Sequence, residues 1–177
     1  YASAWTLADS IDSVLMYDGV TFGEFTYSDN LIKGHRAHLM RTATRGPDGQ
    51  LQPYAEGMQV NGELRDGQVL LTPAPSVNGS WAEFVVHGCT YLKLQYGLCD
   101  IFHEKGGEGT KLGVTVLRGE EVVAEAQVSL TETKWSEQTV QLPGGDLFVR
   151  IFVQFVGHRG SNWSALVLEG DGEMGTR

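Results

Sequence analysis

Apolar and polar residues alternate with a period of two through much of the second half of the chain, the pattern of half-buried strands. The alternation runs through Leu92, Leu94 and Tyr96, through Leu112, Val114 and Val116, and through Val122, Ala124, Ala126 and Val128. No helical period competes with it. Glycine-rich turn signals separate the runs: Lys105-Gly106-Gly107-Glu108-Gly109, Arg118-Gly119-Glu120 and Pro143-Gly144-Gly145-Asp146. Reversals at about ten-residue intervals predict an all-β antiparallel sandwich or barrel. Residues 147–156 are apolar on both faces, with Leu147, Val149, Ile151, Val153 and Phe155 on one side and Phe148 and Phe152 on the other. Burial on both sides predicts a central strand.

The first half is less regular. Asp18-Gly19 predicts a turn before a strand over residues 20–27, with Gly23 as an irregularity. Asn61-Gly62 and Asp66-Gly67 are hairpin dipeptides between Met58, Val60 and the run Val69, Leu70, Leu71. Residues 72–79 break that run, and residues 81–87 predict a strand with Ala82, Phe84 and Val86 on one face and Trp81, Glu83, Val85 and His87 on the other. Helix is limited to a turn or two over residues 8–14 or 33–41. With no repeat, linker or low-complexity run, residues 1–177 read as one domain.

Composition narrows the partners. A formal net charge of −9 disfavours nucleic acid and anionic membrane surfaces, which require a basic face. No apolar run approaches the roughly 18 residues that span a bilayer, so no membrane insertion is expected. Tyr1 stands where an initiating Met would, which reads as a processed or excised chain. Cys89 and Cys99 flank an extended run that rises about 3.3 Å per residue, too far apart for a disulfide, and are expected as buried free thiols.

One part of the chain resembles a known family. Gly97-Leu98, a polar loop, the strand at residues 112–117, Arg118-Gly119-Glu120-Glu121-Val122, the strand opened by Trp135, a glycine turn, a further strand and a loop ending in Asn162-Trp163 are similar to the second half of galactose-binding-like β-sandwiches. Within these, the order of features resembles carbohydrate-binding modules that accompany glycoside hydrolases. The resemblance covers about half the chain and implies a jelly-roll sandwich. It also implies non-catalytic binding of a polysaccharide or glycan, an extracellular or periplasmic setting and a linked catalytic domain. Such sandwiches often hold a structural Ca²⁺, for which Asp18 and Glu169 are the candidates here.

Binding residues are expected in the loops that a sandwich gathers at its ends. Asp100, His103 and Glu104 follow one strand, and His158, Arg159, Asn162 and Trp163 precede the last. Aromatic faces stack on sugar C–H surfaces while amides and charges fork onto hydroxyls. Trp135 and Trp163 also read as core plugs at the sandwich edges, the commoner role for a lone Trp. A second candidate face is Arg36, His38 and Tyr54, in a segment that holds four of the 13 Lys and Arg residues. Catalytic signatures such as G-x-S-x-G, H-E-x-x-H and the P-loop are missing. An enzyme alternative, a sandwich glycoside hydrolase or polysaccharide lyase, would use His35 or His38 as base with Arg36 or Arg41 neutralising a uronate. A structural or assembly domain is the third alternative.

Overall fold

The computed structural model describes residues 3–9, 15–18, 39–54, 56–71, 80–101, 109–155 and 163–175. Its strands in chain order are β1 (Trp5–Thr6), β2 (Leu15–Asp18), β3 (Leu39–Arg41), β4 (Ala43–Arg45), β5 (Leu51–Pro53), β6 (Val69–Leu71), β7 (Ser80–His87), β8 (Tyr91–Leu98), β9 (Thr110–Arg118), β10 (Glu121–Leu130), β11 (Ser136–Gln141), β12 (Asp146–Phe155), β13 (Ser164–Gly170) and β14 (Glu173–Gly175). Each pairing among them is antiparallel. The first sheet runs β11-β8-β13-β6-β3 with β1 beside β13, and the second runs β10-β9-β12-β7-β14 with β2 beside β7. From β6 to β9, and again from β10 to β13, successive strands alternate between the sheets, which is jelly-roll connectivity. The fold is the antiparallel β-sandwich that the period-two pattern predicts.

β12 is the central strand expected from its two apolar faces, lying between β9 and β7. Leu147, Val149, Ile151 and Val153 are buried, facing Leu92, Leu94, Leu98, Leu166 and Leu168 of the other sheet in one continuous core. Phe148 and Phe152 lie half-buried on the outer face. Between them Arg150 donates through Nε to Glu83, its direct partner on β7, whose carboxylate is fully buried.

The β9–β10 hairpin corrects the expected phase at one point. Its register shifts between Val122 and Ala124, a β-bulge that places two residues opposite one. Val123 therefore packs on the core with Ala124, Ala126 and Val128, while Val122 is 51% exposed. In the first half, residues 39–41 form β3 rather than a helical turn, Ala8 and Asp9 lie in a helical turn, and the rest of the two expected helical stretches, residues 10–14 and 33–38, lies outside the described residues. Asp18 closes β2 opposite Ser80, and the strand expected over residues 20–27 lies outside the described residues. Among the described residues no helix is long and apolar enough to cross a membrane.

Cys89 and Cys99 are free and buried, as their spacing predicts. Beside Cys89 the far end of the sandwich is tied by Asp171. Its carboxylate accepts from the Thr90 N–H at 2.7 Å and the Thr90 hydroxyl at 2.5 Å, and its carbonyl accepts from Trp5 Nε1 at 2.8 Å. Burial works against the charge of Asp171, but the donors on Thr90 and Tyr91 outweigh it and hold the group below the ordinary carboxylate range.

Two outcomes follow. Ile151→Ala removes a fully buried side chain from the central strand and should cost about 2–5 kcal/mol in denaturant unfolding. Because the folded-state pKa of Asp171 is lowered, its stabilisation is present above the unfolded value near 3.9 and is lost as pH falls through the folded one. Asp171→Ala should thus lower the Tm at neutral pH, and its deficit relative to the parent should shrink as a pH series is carried from about 5 towards 2.

Candidate functional site

The register places one set of strand ends together. In the first sheet, Leu98, Ser164, Leu71 and Leu39 form one cross-strand row at its end. In the second sheet the corresponding end carries Thr110, Leu130 and Phe155 on one side and Asp18 with Ser80 on the other. The five-residue link from Leu130 to Ser136 joins the two, and within it the Glu132 carbonyl accepts from the Leu98 N–H at 3.2 Å. The strand ends flanking residues 19–38, 72–79, 99–109 and 156–163 all lie at this pole. His103, Glu104, His158, Arg159, Asn162, Arg36 and His38, with His35 of the enzyme alternative, lie outside the described residues. The strand ends that flank them are at the pole.

Asp100 is held as a turn anchor. Its two carboxylate oxygens accept from the N–H groups of Asn61 and Gly62, at 2.7 and 2.9 Å. The Asn61-Gly62 pair closes a tight turn across the Val60–Glu63 bridge, as the dipeptide predicts, with Asn61 at a φ of 50°. Backbone bonds from Asp100 N to the Gln59 carbonyl and from Ile101 N to the Gly57 carbonyl continue the seam. The chain over residues 57–68 is thereby laid across the outer face of the first sheet. This approach requires glycine at position 97, where a Cβ would come within 2.7 Å of both Val60 Cγ1 and the Lys134 carbonyl.

Both tryptophans serve this seam. Trp135 and Trp163, each partly buried, pack with Ile101 against Val60, Cys99 and Ala165, a small cluster separate from the main core. Trp135 Nε1 donates to the Glu63 carbonyl at 3.3 Å, and the Arg65 guanidinium lies 4.7 Å from its ring centroid. Arg65 also donates to Glu63 and Gln95. Trp163 receives the Cys99 N–H on its carbonyl at 2.9 Å. Asp100 and Trp163 are therefore brought together at the pole.

Tyr54 follows β5 and is 64% exposed, the most exposed large hydrophobic side chain among the described residues. Its hairpin is anchored by the buried Gln68, which donates to the Thr42 hydroxyl and the Met58 carbonyl. Arg41 donates to the Ala8 carbonyl at 2.7 Å. The calcium candidates are not neighbours: Asp18 ends β2 in the second sheet, whereas Glu169 lies in β13 of the first, paired with Thr6 and 3.9 Å from Lys93 Nζ. Among the described residues no three His, Cys, Asp or Glu side chains are grouped as a metal site.

One cleft among the described residues was not anticipated from sequence. About 370 Å³ in volume, it opens between β10 and β11 and is lined by Tyr96, Val128, Ser129, Leu130, Thr131, Glu132, Lys134 and Ser136. Its floor is apolar, from Tyr96, Val128 and Leu130, and its rim is hydroxyl and charge. The signal was present as the polar run Ser129-Leu130-Thr131-Glu132-Thr133-Lys134 leading to Trp135. Only pairing shows that this run joins the edge strands of two different sheets.

No family model and no curated protein matches the chain. Among solved structures, the CBM51-2 and INT domains of Clostridium perfringens ZmpB are similar over 75% of this chain at 12% identity and a TM-score of 0.46. CBM51 from the Clostridium perfringens GH95 protein, in complex with methyl-galactose, matches 73% of this chain and 80% of its own at 13% identity and a TM-score of 0.43. The K2 cleaved adhesin domain of Lys-gingipain matches over 90% of both chains at 15% identity and a TM-score of 0.47. This chain spans 26% or less of the first three such structures. Fold does not imply function, so the site must carry the functional reading.

The Asp100 anchor is open to a direct check. Asp100→Ala leaves two N–H groups without their charged acceptor, and hydrogen exchange at Asn61 and Gly62 should accelerate about ten-fold or more. Exchange in the middle of β12 should stay as it was.

Proposed function

We propose that this chain is a carbohydrate-binding module and that glycan enters the cleft between β10 and β11. The observation that carries the reading is the cleft itself. Its volume of about 370 Å³ lies in the range of small-ligand sites, and its lining pairs an apolar floor with a polar rim. A sugar ring has the same two characters. Its C–H face rests on Tyr96, Val128 and Leu130, and its hydroxyls meet Ser129, Thr131, Ser136, Glu132 and Lys134. Glu132 is the one carboxylate in this lining, whereas glycoside hydrolysis ordinarily uses a pair. That supports binding over cleavage at this cleft.

The loop residues His103, Glu104, His158, Arg159 and Asn162 extend the same site in this reading, supported by the strand ends that flank them at the pole. Asp100 and Trp163 serve as anchors of the neighbouring seam at the same pole. An extracellular polysaccharide as ligand, and a catalytic domain in the same protein, complete the proposal.

The test is calorimetry and affinity electrophoresis against a panel of plant, algal and host polysaccharides, with galactosides and N-acetylglucosamine included. Binding by the parent chain is expected, weakened ten-fold or more in a Glu132→Gln, Lys134→Ala double variant with little change in Tm, since both side chains are exposed. No binding across the panel, or full affinity in the double variant, would overturn the reading.

A further inference from the structure

The outer face of the second sheet contains a second hollow, of about 240 Å³, away from the cleft. Outward positions on an antiparallel sheet are ordinarily polar. Here Phe152 stands on that face, half-buried, directly opposite Gly113 of β9. A Cβ at Gly113 would sit against the Phe152 ring, so the ring leans across β9 into the space a side chain would occupy. Next along the same row, on the edge strand β10, is Gln127, the partner of Gly113. One row further on, Thr115 faces Glu125. The hollow thus has an aromatic wall, a floor of sheet backbone, and an amide, a carboxylate and a hydroxyl around it.

Strand spacing sets the scale. Two inter-strand spacings, across β9, separate the Phe152 and Gln127 backbones by roughly 10 Å, with only a glycine between. A carboxamide both donates and accepts, and a carboxylate accepts from two hydroxyls, so Gln127 and Glu125 suit vicinal hydroxyl groups. Charge decides which sugars fit. Glu125 is exposed; Arg150, in the row of Thr115, is engaged by Glu83, and Lys111, one row beyond Gly113 on the same face, lies outside the lining of the hollow. Glu125 is the one charged group in the lining of the hollow, so a uronate would meet a like charge there, whereas a neutral sugar meets only donors and acceptors.

We propose that this hollow is a second subsite for neutral glycan, one sugar ring packing against Phe152 with Gln127, Glu125 and Thr115 as its hydrogen-bonding partners. The proposal rests on the carbohydrate-binding reading but places a separate contact on a separate face. Two contacts on one chain would favour a long polysaccharide over its isolated units through raised effective concentration.

Amide chemical-shift mapping of the isotope-labelled chain tests it, titrating with xylohexaose and cellohexaose as neutral probes and with a hexamer of galacturonic acid. The expected result is saturable shifts at Gly113, Thr115, Glu125 and Gln127 with a neutral hexamer and none with the acidic one. In a Glu125→Ala, Gln127→Ala variant these shifts should require ten-fold more probe or vanish, while shifts at residues 129–136 persist. Shifts confined to residues 129–136 would overturn the second subsite and leave the cleft reading intact. Shifts confined to the hollow would do the reverse. Silence at both places with both neutral hexamers would overturn this proposal, and equal response to the acidic hexamer would overturn its neutral-sugar selectivity.

Discussion

The burial of one row, Leu147, Val149, Ile151 and Val153 of β12, against the leucines of β8 and β13 is the contact on which the remaining architecture depends. It fixes which side of each sheet is inside, and with a period of two the outside follows automatically. A slip of one residue in β12 would bring Phe148, Arg150 and Phe152 inwards and place a guanidinium in the core. The opposition of Arg150 and Glu83 on the outer face thus acts together with the aliphatic row to hold register. Burying that pair is costly unless both partners are present, and the pairing of β12 with β7 supplies them together.

The same register decides where polar groups can gather. Because β10 and β11 are the edges of different sheets, the space between them has no ladder to fill it, and an apolar floor meets solvent there. At the pole the outer face of the first sheet is closed over by residues 57–68, held by the Asp100 carboxylate, the Trp135 indole and the Arg65 guanidinium. A charged anchor at the turn and an aromatic wedge at the edge do for this face what the leucine row does for the interior. Lys134 and Ser136 of the cleft lining flank that wedge in the chain, so the shape of the cleft is tied to a packed cluster as well as to a loop.

What could be read from the sequence was what short-range pattern encodes. Period-two alternation located β8, β9 and β12, and the double apolar face of β12 identified it as central. Asn61-Gly62 announced its turn because two successive residues at positive φ are tolerated by few other pairs. The phase of β10 was misjudged at Val122 because a bulge adds a residue without changing the composition of the run. Trp135 was legible as an edge residue, but not as a clamp on the outer face, since Glu63 and Arg65 are distant in sequence. Asp100 had the composition of a ligand residue, and only geometry shows its oxygens already occupied by two backbone donors. The cleft was unreadable for the same reason: its two walls belong to strands whose adjacency is a property of the sheets.

The two buried thiols carry a consequence for redox behaviour. Desolvation pushes Cys89 up to about 11 and Cys99 up to about 12. At neutral pH both are thus held as thiols, whereas disulfide exchange and peroxide oxidation both proceed through the thiolate. Neither sulfur is reachable without opening the sandwich. Placed in an oxidising medium, the folded domain would keep both cysteines reduced, and their first oxidation would report on how often the fold opens rather than on the chemistry of its surroundings.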